Sequence, residues 1–149
     1  MKQWISAGML ASVLWLAGCQ TSAGMAEFTS DGCSLFPDGT PSSPAQWCDC
    51  CFAHDRAYWQ GGTQGERQQA DQALRRCVLD RTGNPALADM MYRGVRGGGS
   101  PVFPAWYRWG YGWPYGQGYR PLNAEEHQQA KQLLQRYDRL HPTGFCQQP

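Results

Sequence analysis

Asp49-Cys50-Cys51-Phe52-Ala53-His54-Asp55-Arg56-Ala57-Tyr58 is the stretch on which the fold turns. Trp47, Cys50, Cys51, His54 and Tyr58 recur at helical spacing and share one face. Ser43-Pro44 opens that helix: Ser43 is a capping residue, Pro44 suits the first helical position, and Gln46 stands where a capping box takes Glu or Gln. The helix is expected to reach about Gln60 and stop at Gly61-Gly62. His54 and Asp55 are neighbours, so their side chains diverge by about 100° around the axis. They can therefore serve one site from adjacent angles, with His54 expected to hold a water and Asp55 a cation.

Downstream, Thr63 and Glu66 form a capping box for a second helix running to about Asp80, with Gly83 beyond it. Its inner stripe is Ala70, Asp71, Leu74, Cys77 and Val78. An acid in the middle of an apolar stripe needs a partner. A turn at Gly61-Gly62 folds the two helices back antiparallel, which lets His54 face Asp71 and sets Cys50 and Cys77 to bridge them. A histidine acting as general base needs such a carboxylate to fix its tautomer.

Further out the signals are coarser. Residues 31–43 hold Asp31-Gly32, Asp38-Gly39, Pro37 and Pro41 and read as loop. Asn84-Pro85 starts a short third helix, Ala86 to about Val95. Residues 97–121 carry seven Gly, four Pro and eight aromatics and read as an irregular loop. Its rings either pack on the core or touch lipid, and the two readings are compatible. Asn123 with Glu126 caps a last helix to about Leu140, and a tail with Cys146 is stapled back to the body. Arg56, Arg67 and Arg75-Arg76 read as ordinary exposed helix charges, and His127 and His141 as solvated.

The 149 residues suit one domain. Thirteen Lys and Arg against twelve Asp and Glu leave a formal charge of +1, which argues against a nucleic-acid partner. Seven cysteines point to disulfides and an oxidising compartment. Met1-Lys2 and the apolar run Ile5 to Leu16 read as a signal peptide over residues 1–18. Leu16-Ala17-Gly18-Cys19 resembles a bacterial lipobox, implying lipidation of Cys19 and a membrane anchor. Gln20 after it, by resemblance to lipoprotein sorting, implies a bacterial cell envelope location at the outer membrane. Residues 19–30 read as the lipidated cysteine and a tether, and 31–149 as the domain. Six cysteines then remain, which allow 15 pairings.

Cys50-Cys51-Phe52-Ala53-His54-Asp55, with Tyr58 after it and Asp71 six residues before Cys77, resembles the secreted phospholipase A2 family, most nearly its compact bacterial members. The likeness covers about residues 31–80. It implies an all-α, disulfide-stapled domain: two antiparallel core helices, a calcium-loop-like segment before them and the Gly/aromatic-rich loop after. It implies calcium-dependent hydrolysis of the sn-2 ester of glycerophospholipids at a phospholipid membrane. His54 would activate the water, with Asp71 orienting it and Tyr58 bonded to Asp71. Asp55 and the carbonyls of Gly32, Ser34 and Phe36 would hold Ca2+. The pairing Cys50–Cys77 and Cys33–Cys51 follows from the resemblance, and Cys48–Cys146 only by elimination. The loop departs from the family, with Ser34, Leu35, Phe36 and Pro37 replacing a glycine-rich run, so its ligating carbonyls stay open. An inactive lipid- or protein-binding module is the alternative. A metal site of Cys48, Cys50, Cys51 and His54 is a third reading, disfavoured by its spacing and by oxidation.

Overall fold

A computed structural model describes residues 24–147. The expected signal peptide, the lipidation site Cys19 and tether residues 20–23 lie outside the described residues. Helices take 53% of the described chain and no strand occurs among them, so a small all-α, disulfide-rich domain results. The helices are α1 (Cys48–Gln60), α2 (Gln64–Thr82), α3 (Pro85–Gly98) and α4 (Ala124–Leu140), followed by a 3-10 turn, Phe145–Gln147. Disulfides join Cys33 to Cys51, Cys48 to Cys146 and Cys50 to Cys77.

Local chemistry sets most boundaries. Thr63 accepts the Glu66 amide and Glu66 answers to the Thr63 amide, a complete capping box, and Asn123 with Glu126 repeats it on α4. Gly83 ends α2 in the left-handed region at φ 64°, which a side chain resists. Two boundaries differ from expectation. Helix α1 begins at Cys48, because Thr40 and Ser43 exchange backbone hydrogen bonds, each 3.0 Å, and residues 44–47 form turns. Ser43 therefore caps nothing. Helix α3 runs past Val95 to Gly98, into the glycine run. Buried Arg67 takes the Val95 and Arg96 carbonyls, each at 2.9 Å, and so satisfies acceptors that a helix end leaves open.

The α1–α2 register can be read from its pairs. Cys50 bonds Cys77, His54 meets Asp71, and Tyr58 meets Arg67. One number rises as the other falls, so the helices are antiparallel. Helix α1 divides the core. On one side Trp47, Cys50 and Cys51 pack with Leu74, Val78, Ala88 and Met91 of α2 and α3. On the other, Trp59 packs with Met25, Phe28, Trp113 and Ala130. Residues 24–30 are thus not a free tether: Met25 and Phe28 are buried, and the Trp59 indole donates to the Ala26 carbonyl at 3.0 Å.

The loop after α3 divides its rings between core and surface. Trp109 and Trp113 are buried and donate to the Gly62 and Gln60 carbonyls, at 2.9 and 2.7 Å. They cover the α1–α2 turn. Gly112 is pressed against Trp59: a Cβ there would lie 2.6 Å from its carbonyl oxygen. Val102, Phe103, Trp106 and Tyr115 are exposed. Among the described residues no helix is long and apolar enough to cross a membrane. His127 is exposed, but His141 is half-buried and stacks on Tyr137 at 4.1 Å.

Candidate active site

His54 and Asp71 meet across the α1–α2 interface. His54 Nε2 lies 2.8 Å from Asp71 Oδ1, with His54 8% and Asp71 0% exposed. The Tyr58 hydroxyl donates to the same oxygen at 2.7 Å, and Arg96 Nη1 donates to Oδ2 at 2.6 Å. Burial alone would raise Asp71, but the hydrogen bonds from His54, Arg96 and Tyr58 outweigh it and hold the carboxyl below its usual range. An ionised Asp71 is an acceptor only, so the proton of a neutral His54 resides on Nε2 and Nδ1 keeps its lone pair. Burial, then the Asp71 charge, pushes the Tyr58 phenol up, so Tyr58 stays a donor. The His54 ring also rests against the Tyr58 ring at 4.1 Å.

His54 forms part of the wall of a cavity of about 330 Å³. Gly32, Cys33, Ser34, Leu35 and Phe36 line it from the loop, Leu74 from α2, and Met90, Met91, Gly94 and Val95 from α3. Cys33–Cys51 ties that loop to α1 one turn before Asp55. Leu35 holds the left-handed region at φ 61° and is exposed at the rim.

Asp55 borders this cavity and a second one, about 300 Å³, lined in part by Thr29, Ser30, Asp31, Ser34 and Tyr111. Ser30 donates its hydroxyl to Asp55 Oδ2 at 2.6 Å. Burial raises the Asp55 carboxyl to about 7, against the lowering effect of the Ser30 bond, and the charges of Asp31 and Asp38 add to the rise. Asp31 is engaged by the Ser34 hydroxyl and the Trp106 indole, at 2.6 and 3.2 Å, and Asp38 by the Cys33 amide at 2.8 Å.

The charges of Asp31 and Asp38 act on Asp55, and a carboxylate is the donor type that a hard divalent cation takes. Asp55 is the buried member. Among the described residues no group of three or more His, Cys, Asp and Glu side chains is arranged to hold a metal, so the other donors would be backbone or hydroxyl oxygens. Gly32, Ser34 and Phe36 share the first cavity with Asp55, which puts them in the right neighbourhood. The Cys48–Cys50–Cys51–His54 metal site does not form, because all three cysteines are in disulfides.

The chain matches no protein-family model, no curated protein and no solved structure. The structure brings His54, Asp71 and Tyr58 into one network and sets Asp55, Gly32, Ser34 and Phe36 around the same cavity.

Sequence reasoning missed three residues and misplaced one of them. Arg67 is buried, not an exposed charge: its Nε donates to the Tyr58 hydroxyl at 3.0 Å and its Nη1 to Tyr119 at 2.5 Å. The signal was available, since Arg67 lies one helical turn before Asp71 on the inner stripe. Arg96 and Ser30 reach the site by tertiary folding, and nothing in their spacing marks them. Arg56 and Arg75 do behave as surface charges, paired with Asp138 and Asp89.

Proposed function

We propose that the protein is a phospholipase A2-like hydrolase, using calcium and a histidine-activated water to cleave the sn-2 ester of glycerophospholipids. The observation that carries this reading is the His54–Asp71 pair in the wall of an apolar cavity, its Nε2 committed to Asp71 and Asp55 one residue away. Nδ1 of His54 accepts the proton of a water directed at the ester carbonyl. Asp71 and Tyr58 keep the ring in place and stabilise the imidazolium that forms, as a buried carboxylate does for a catalytic histidine. The apolar walls from Leu74, Met90 and Met91 would receive an acyl chain. Asp55, with oxygens of the 32–36 loop, would hold the calcium, whose chemistry is to polarise the carbonyl and stabilise the oxyanion.

Attachment to the outer membrane through a lipidated Cys19 completes the reading and keeps the domain at its substrate. The exposed Trp106, Phe103 and Val102 suit contact with that surface. The test is release of fatty acid from mixed phospholipid vesicles by the soluble domain, with calcium and with a chelator. Hydrolysis that needs calcium and His54 is the expected result; none under any calcium concentration refutes it. An inactive lipid-binding module is the second reading. The 32–36 loop favours it, since Leu35 stands in a strained conformation where a glycine would converge carbonyls more freely. Vesicle binding without hydrolysis would select it.

A further inference from the structure

Two guanidiniums converge behind His54, and the hydrolytic reading uses neither. Asp71 is wholly buried, so both its oxygens need donors. Oδ1 has two, His54 and Tyr58. Oδ2 is bonded by Arg96 at 2.6 Å, while Arg67 Nε stands 3.9 Å away. Arg67 has no free hand to replace Arg96. Its Nε serves Tyr58, its Nη1 serves Tyr119, and its Nη2 serves the Val95 and Arg96 carbonyls.

We propose that Arg96 is a positioning residue: by holding Oδ2 of Asp71 it keeps Oδ1 on His54 Nε2, and Arg67 in turn fixes the α3 end from which Arg96 reaches. The assignment rests on the geometry of the pair, and the hydrolytic reading enters only where a rate is measured. Without Arg96, Oδ2 is a buried acceptor with no donor at normal distance. The carboxylate then turns about its Cβ–Cγ bond to share the His54 and Tyr58 donors, or draws Arg67 off Tyr58. Either movement pulls Oδ1 away from the imidazole. The groups facing Asp71 are His54 and Tyr58 from α1, Arg67 from α2 and Arg96 from α3, and all four belong to this one network. Gly99 closes it, because a Cβ there would lie 2.7 Å from the Tyr58 hydroxyl. This is not a solvated ion pair, whose contribution is small: one partner has no exposure at all.

The experiment follows the ring N–H of His54 by NMR, identified as the low-field signal that His54→Gln removes. In Arg96→Gln, and in Arg96→Met as a second neutral variant, the signal is expected to move upfield and exchange faster with water. Arg96→Lys keeps a cation in reach and is expected to restore most of the shift. In hydrolysis assays Arg96→Gln is expected to lower kcat about tenfold with KM unchanged, and to cost nothing further in an Asp71→Asn background, the coupling a shared network requires. An unchanged ring signal in either folded neutral variant overturns the assignment. So do additive effects with Asp71→Asn, or unfolding of both neutral variants while Arg96→Lys folds, which would make Arg96 a stability residue only. If the wild type hydrolyses no phospholipid, the functional reading fails, and the NMR arm still decides the role of Arg96.

Discussion

The two faces that α1 presents to the candidate site are built on opposite principles. Around His54 every charge has a counter-charge or a donor: one buried carboxylate is met by an imidazole, a phenol and a guanidinium within 2.8 Å. Around Asp55, one residue on, the charges of Asp31 and Asp38 add to the effect of burial, and the carboxyl is driven to about 7. The first face is a finished network that needs nothing added. The second gathers like charges, and protonation of its buried carboxyl relieves them. Adjacent residues on one helix thus divide the work. One supplies fixed orientation, and the other supplies a place where charge is exchanged with the medium.

The sharpest break of this contrast is to remove the finished half. His54→Gln is expected to lower hydrolysis by roughly 10²–10⁴-fold, the usual contribution of a general base. Calcium binding by calorimetry should stay intact. A variant as fast as wild type would show that the network is only structural.

The frame that holds both halves comes next. Replacing Cys50 and Cys77 together by Ser removes the bridge one turn from His54 and is expected to cost about 2–4 kcal/mol. Chemical denaturation under oxidising conditions measures it. A loss under half a kcal/mol, on the order of an exposed substitution, would mean that helix packing alone sets the register.

A pH series sharpens the other half. Asp55 has its ordinary value near 3.8 in the unfolded chain and about 7 in the folded one. Between the two, the folded state keeps a proton that the unfolded state has released. This group's stabilisation is therefore complete below about pH 4 and is lost as pH rises through about 7. The loss should be on the order of 1–2 kcal/mol after solvent relaxation. Asp55→Asn should flatten the slope. Calcium needs the ionised carboxylate, so its affinity should weaken as pH falls below 7. Denaturation and titration calorimetry across that range check both, and a pH-independent affinity would detach Asp55 from the cation.

The smallest expected effect lies away from both halves. Thr63→Ala removes the α2 cap and should cost about 1 kcal/mol without changing either calcium affinity or turnover.

Much of this arrangement was legible in the chain, for identifiable reasons. Helices α2 and α4 have complete capping boxes, and the 3.6-residue stripe placed Asp71 on the inner face opposite His54. Those signals are local. What was not legible is what arrives from afar. Arg96 joins Asp71 across 25 residues, and Ser30 joins Asp55 across the same separation. The start of α1 departs from its capping sequence for a similar reason. Trp47 is anchored to the Pro37 and Asp38 carbonyls, and that contact overrides a good capping sequence at Ser43. Residues 24–30 look like a tether in sequence because Met25 and Phe28 are two apolar residues in a polar segment, and only the Trp59 face makes them core.

The descending register of the α1–α2 pairs also bears on the order in which the molecule is made. His54 and Asp71 are 17 residues apart, and Cys50 and Cys77 are 27 apart, while Cys48 and Cys146 are separated by 98. Closing a short loop costs less entropy and is faster, so the hairpin bearing His54 and Asp71 is expected to form early. The Cys48–Cys146 bridge, at the first residue of α1, is expected to close after it and so to fasten the tail onto a helix pair already in register.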